Sequence, residues 1–190
     1  MKWQVPTDHP AFTPINVGRL ATPTATDLAW LAGFVDGEGS IMLVRPCNQT
    51  VRTFFYLVNT DLANVLRART IVAACVRRDV VPACGANVGR PDYKLWIARH
   101  SEMRALLTAI LPWLAGKRPQ AELMLQYLRE CSSMLDGRRR LRDTPELRAR
   151  RHEFARRMAE LNRRYAPGEW LARHAPLVKE GRGVYLRPVA

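Results

Sequence analysis

The chain is short of acidic residues, and that shortage narrows its partners more than any other absence. Thirty Lys and Arg face seventeen Asp and Glu across 190 residues, leaving a formal charge of +13. An excess of this size is the electrostatic footprint of a protein that neutralises phosphates, although it would equally suit a ribosomal protein or a membrane-surface binder. Cysteine is sparse. Cys47, Cys75, Cys84 and Cys131 are far apart, with no Cys-x-x-Cys pair. His9, His100, His152 and His174 do not cluster near them, so neither a disulfide framework nor a Cys/His zinc site is expected. No apolar run is long enough to span a bilayer, and the Met1-Lys2-Trp3-Gln4-Val5-Pro6 start lacks the apolar segment of a signal peptide. An intracellular, non-secreted protein with reduced thiols and no membrane partner is expected, with cytoplasm, nucleoid and organelle all open.

What is present supports a single main domain, because 47% hydrophobic residues in 190 suffice for one sizeable core but are tight for two. Residues 1–25 are rich in Pro and Thr without periodicity and predict an extended arm. Thr26 or Asp27 can cap a helix beginning Leu28-Ala29-Trp30-Leu31-Ala32-Gly33-Phe34-Val35, which Gly37 and Gly39 then stop. Leu28, Leu31 and Val35 share a face that needs a core. Ala29, Gly33 and Gly37 recur at four-residue spacing and form a stripe almost without side chains, along which a second helix backbone could pack closely. A glycine inside a helix costs about 1 kcal/mol relative to alanine, so Gly33 calls for such a packing reason.

Further along, residues 40–44 and 51–58 read as strands of a hairpin whose turn contains Pro46 and Asn48. Thr60 can cap a helix over 61–76, with Leu62, Val65, Leu66, Arg69 and Val72 at helical spacing. Val80-Val81 and residues 93–98 predict a second, looser hairpin. A helix over 101–111 stops at Pro112, another spans 120–135, and Thr144-Pro145-Glu146 starts a third. In that last helix Leu147, Phe154, Met158, Leu161 and Tyr165 form one face, and seven arginines crowd the rest without matching acids, suggesting contacts to phosphates. The order predicts a mixed α/β (α+β) domain, αββαββα, over residues 26–135, followed by a basic helical extension over 136–190.

The string Leu31-Ala32-Gly33-Phe34-Val35-Asp36-Gly37-Glu38-Gly39, continued by Ser40-Ile41, closely resembles the signature of the LAGLIDADG homing endonucleases. The resemblance covers roughly residues 26–135. It implies four strands in one curved antiparallel sheet that lies in the DNA major groove, with helices on the other face. It further implies that signature helices pair at the centre of the molecule and that the eighth position, Glu38, binds a catalytic divalent metal, Mg2+ or Mn2+, with the Gly37 carbonyl nearby. Glu in place of the commoner Asp is a family variant. Asn59, at the end of the second strand, matches a position that orders water, although it could equally help cap the following helix. Lys117 matches the lysine that stabilises developing charge, against the plainer reading of a solvated loop cation.

Trp113-Leu114-Ala115-Gly116 echoes Trp30-Leu31-Ala32-Gly33, but Lys117-Arg118-Pro119-Gln120 follows it, with no carboxylate and no Gly pair. The chain therefore carries one signature. Two-strand cleavage needs two reaction centres, which a C2 homodimer supplies, with Ala29, Gly33 and Gly37 at its axis and a long, roughly palindromic target. On the second strand Thr50, Arg52, Phe54 and Tyr56 form the more polar set and are assigned to double-stranded DNA, together with Arg45, Asn48, Gln49, Asn87, Arg90 and Lys94. The expectation is a site-specific DNA endonuclease. The alternative is a non-catalytic nucleic-acid binder on the same fold, a maturase or transcriptional regulator, whose relatives often lose the metal carboxylate.

Overall fold

The computed structural model describes residues 12–44, 51–87, 90–131, 134–135, 139–140 and 144–163. The first helix, α1 (Ala25–Glu38), begins earlier than predicted because Thr24 and Asp27 form a reciprocal capping box. The Asp27 N–H donates to the Thr24 hydroxyl at 3.2 Å and the Thr24 N–H donates to the Asp27 carboxylate at 3.1 Å, satisfying two donors that no helical carbonyl reaches. The helix also ends later, running through Asp36 and Gly37 to Glu38. Gly37 is therefore inside the helix and does not terminate it. Gly39 does, but by close packing: its backbone is ordinarily extended (φ −83°, ψ 163°), while a Cβ there would lie 2.6 Å from the Val35 carbonyl oxygen.

Four strands follow the expected order. They are β1 (Gly39–Val44), β2 (Arg52–Asn59), β3 (Ala83–Asn87) and β4 (Arg90–Ile97), arranged β1-β2-β4-β3 with every pair antiparallel. The third strand starts after Val80-Val81 because the intervening Pro82 has no N–H to give a ladder. Side chains alternate cleanly across this sheet. Ile41, Leu43, Phe55, Leu57, Leu95 and Ile97 are buried on one face, where the helices pack. Arg52, Phe54, Tyr56, Lys94 and Trp96 point to the opposite face, together with Ser40, Met42 and Val44 of β1.

The helical layer consists of α2 (Leu62–Val76), α3 (His100–Ile110), α4 (Arg118–Glu130) and α5 (Pro145–Leu161). Asp61, not Thr60, caps α2, its carboxylate accepting the Ala63 N–H at 2.8 Å. A 3-10 turn at Leu111–Trp113 separates α3 from α4. The second Trp-Leu-Ala-Gly string is thus turn and loop, as its missing carboxylate and glycines implied. The α4 helix stops at Glu130, short of the predicted end, and Met134–Leu135 pair instead with Arg139–Arg140 as two-residue strands. Among the described residues no helix is long and apolar enough to cross a membrane.

Two buried arginines tie residues 12–15 and α5 to the core. Arg69, only 2% exposed, donates to Asp79 through Nε (2.9 Å) and Nη2 (2.6 Å) and to the Thr13 carbonyl (2.9 Å), while the Ile15 N–H donates to the same carboxylate. Residues 12–15 are consequently strapped to the end of α2, and Phe12 is buried against the core, where an extended arm was expected. Arg151, buried on α5, donates to the Cys131 carbonyl at 3.1 Å beside Phe154 and Met158. The other α5 arginines have more acidic company than the sequence suggested. Arg150 pairs with Glu130 at 2.8 Å, and Arg156 pairs with both Glu153 and Glu160.

Candidate functional site

The signature helix delivers two carboxylates to one end of the sheet, and their surroundings separate their roles. Asp36 accepts the Ala115 N–H (2.8 Å) and the Lys117 N–H (2.7 Å), one on each oxygen. Burial pushes its carboxyl up, but the N–H groups of Ala115, Lys117 and Gly116 and the Lys117 ammonium together outweigh this and hold it below its ordinary value. The Lys117 Nζ in turn donates to the Asp36 backbone carbonyl. Asp36 is a clamp between α1 and the turn before α4, and it sets the position of Lys117. This role was missed in the sequence; the only signal was a second acid within the signature.

Glu38, by contrast, is exposed at the last residue of α1, and no side-chain hydrogen bond or ion pair engages it among the described residues. The Gly37 carbonyl is one of the last four of the helix, which no intrahelical N–H reaches. One carboxylate and one carbonyl are hard oxygen donors of the kind magnesium accepts while keeping several waters. No group of three His, Cys, Asp or Glu side chains that could hold a metal occurs among the described residues.

Asn59 lies at the same end of the sheet, since Gly39 is in register with Leu57. Its Oδ1 accepts the Asp61 N–H at 2.7 Å, which stabilises the turn into α2 and fixes which side of the amide is the donor. A cavity of about 600 Å³ opens beside the helix end, lined by Asp36, Ser40, Lys117 and Gln120 and closed by Leu161 and Asn162 of the α5 terminus. The Asn162 amide donates to the Ile41 carbonyl (2.9 Å) and Gln120 donates to the Leu161 carbonyl (3.1 Å), so α5 walls the site. Nothing in the sequence pointed to this contribution.

On the outward face of α1, Gly33 and Gly37 are exposed, and a Cβ added to either would meet nothing within 4 Å; Ala29 is half-buried. Beside this flat stripe Trp30 and Phe34 stack with centroids 5.2 Å apart, and the Arg67 guanidinium lies 4.2 Å from the Trp30 ring. The outward sheet face carries Arg52 and Tyr56 as the alternation predicted, with Lys94 Nζ 3.9 Å from the Tyr56 centroid. Asn87 and Arg90 are in register across the β3–β4 turn. Arg45, Asn48, Gln49 and Thr50 lie outside the described residues, as do most of the basic run at 138–142 and the segment 164–190.

An αββαββα core with a helix-backed four-stranded antiparallel sheet and the signature at its first helix is the fold of the LAGLIDADG homing endonucleases. Two solved structures of the homing endonuclease I-CvuI share it. The one in complex with the I-CreI target in the presence of 2 mM Mg, with DNA not cleaved, is 23% identical at a TM-score of 0.55, covering 72% of this chain and 82% of that one. The other, in complex with its own target in the presence of 2 mM Ca, is 22% identical at the same TM-score of 0.55 and the same 72% and 82% coverage. No family model and no curated protein matches the chain.

Proposed function

We propose that this protein is a site-specific double-strand DNA endonuclease acting as a homodimer with Mg2+ or Mn2+. The observation that carries this reading is the division of labour at the foot of α1, where Asp36 is consumed by the fold and Glu38 is left exposed at the end of the flat Gly33–Gly37 stripe. A second copy packed along that stripe brings two Glu38 carboxylates to one centre, one for each DNA strand. Divalent ions there would neutralise charge on the phosphodiester and lower the pKa of bound water. Glu38 and the Gly37 carbonyl would hold the ion. Asn59 presents its amide N–H to the water network, and Lys117, fixed by Asp36, stabilises charge developing on the phosphate and the leaving oxygen.

The sheet supplies target recognition. Its outward face places Arg52, Tyr56 and Lys94 along two central strands, and a β-sheet surface of this width enters the major groove. Arg45, Asn48, Gln49, Thr50, Asn87 and Arg90 are the further DNA contacts of this reading. The I-CvuI complexes are with DNA, and their metals are Mg and Ca, which supports the same partner and cofactor class here.

The reading is tested by incubating a randomised duplex library with the wild-type chain and with Glu38→Gln, each with magnesium or a chelator, and sequencing the cut ends. Cuts that need both magnesium and Glu38 and that define a roughly palindromic site are expected. Selective retention of duplex or RNA by both proteins without any cutting would instead establish a non-catalytic binder on this fold.

A further inference from the structure

We propose that Trp96 is a specificity-determining residue that reads the 5-methyl group of a pyrimidine in the major groove. The inference rests on the sheet being a duplex-binding face, as argued above. Trp96 is 54% exposed on the central strand β4, while its neighbours Leu95 and Ile97 are fully buried on the other face. The fold therefore leaves this ring in solvent, and with half-buried Met42, Phe54 and Tyr56 on the same face it forms a contiguous apolar patch of the kind that marks an interaction surface.

Its surroundings decide what kind of ligand it fits. Across the register Trp96 lies opposite Tyr56, and Phe54 lies one same-face position away, itself opposite Met42. Phe54 stacks on Tyr56 at 5.5 Å and 16°, and the Lys94 ammonium lies over the Tyr56 ring at 3.9 Å. Phe54 precedes Tyr56 on its strand, whereas Lys94 is in register with Val58, which follows it, so the two reach the ring from opposite sides. With both faces covered, Tyr56 cannot serve as a platform for an unstacked base, which is how a sheet of this layout binds single strands. A duplex read from its groove needs no such platform.

Along the sheet Trp96 sits in register between Arg52 and Lys94, two cations suited to phosphates or guanine edges. The row of Met42, Phe54 and Trp96 between them is apolar apart from the single indole N–H of Trp96. The thymine 5-methyl is the one apolar group that an unmodified base pair shows in the major groove, and 5-methylcytosine places the same group at the same position. The row matches that chemistry.

The test selects binding sequences from randomised duplexes with the full-length chain in chelator, then measures affinity for the enriched duplex with thymidine replaced by deoxyuridine one position at a time. Loss of one buried methyl should weaken binding roughly four-fold at one or two positions. Trp96→Ala should remove that difference and Trp96→Leu should retain it, with thermal unfolding unchanged in both. At a matching position, 5-methylcytosine should bind better than cytosine. An enriched duplex that binds equally well with deoxyuridine throughout, or a Trp96→Ala chain that still distinguishes the two, would overturn this assignment while leaving the duplex-binding reading intact. Failure to enrich any duplex, or preference for single strands, would overturn both.

Discussion

Two acids on the last turn of one helix have opposite fates, and the difference is entirely one of hydrogen-bond partners. Asp36 has a backbone N–H on each oxygen and positions Lys117, so Asp36→Asn must turn one amide N–H toward a backbone donor. We expect it to cost roughly 1–3 kcal/mol in urea unfolding and to lower cleavage through Lys117. Asp79 is the anchor of buried Arg69, and Asp79→Ala should destabilise by about 3–5 kcal/mol because a guanidinium is left buried without its carboxylate. Both carboxyls are held below their ordinary value: burial raises each, but for Asp79 the Arg69 guanidinium and the Ile15 N–H prevail, as the loop N–H groups do for Asp36. Their folded pKa values thus lie below the unfolded value near about 3.9. The stability they supply is complete above that value and is lost as pH falls through the folded pKa, so acid unfolding should set in below about pH 4 and be less steep in Asp36→Asn. In the sequence, Glu38 was singled out by the signature and Lys117 by the resemblance of residues 112–121 to the family, and their roles are those proposed above. The roles of Asp36, Arg69 and Arg151 were not legible, because their partners lie at residues 115–117, 13 and 79, and 131, and nothing local records such contacts.

At the scale of elements, α1 is built to present a flat face. Gly33→Ala meets nothing within 4 Å and replaces a poor helix former, so in an isolated chain it should stabilise α1 by up to about 1 kcal/mol. If a second copy packs on that stripe, the same substitution must weaken association. Thermal unfolding at low concentration and sedimentation at high concentration should therefore move in opposite directions; a change in stability alone would argue against the interface. The helix and hairpin order was readable because hydrophobic period changes at each boundary and because Thr144-Pro145 and the Gly-rich signature punctuate the chain. Boundaries were less so. The start of α1 depends on the Thr24–Asp27 capping box, and the onset of β3 on Pro82. The α4 terminus departs further, since Met134 and Leu135 continue the apolar pattern yet pair as a strand with Arg139 and Arg140. Apolar periodicity cannot separate these outcomes over so few residues.

For the whole molecule the charge of +13 is spread over faces with different proposed roles. Arg150 and Arg156 pair with glutamates on or beside α5, and Arg52 lies on the outward sheet face proposed to meet the duplex. Duplex binding should weaken steeply with salt. Arg52→Gln should reduce the slope of log affinity against log salt by about one, and Arg156→Gln should leave it nearly unchanged. The chain offers one Glu38, one Lys117 and one open helix stripe, so the central claim is that each copy carries half of a two-strand cleavage centre. A mixed dimer of differently tagged wild-type and Glu38→Gln chains, isolated through both tags and given magnesium and a supercoiled plasmid bearing the selected target, tests this directly. The account predicts single-strand nicking or complete loss of cutting, with the wild-type dimer linearising the same plasmid. Full linearisation by the mixed dimer, at the rate of the wild type and without exchange of subunits, would contradict it.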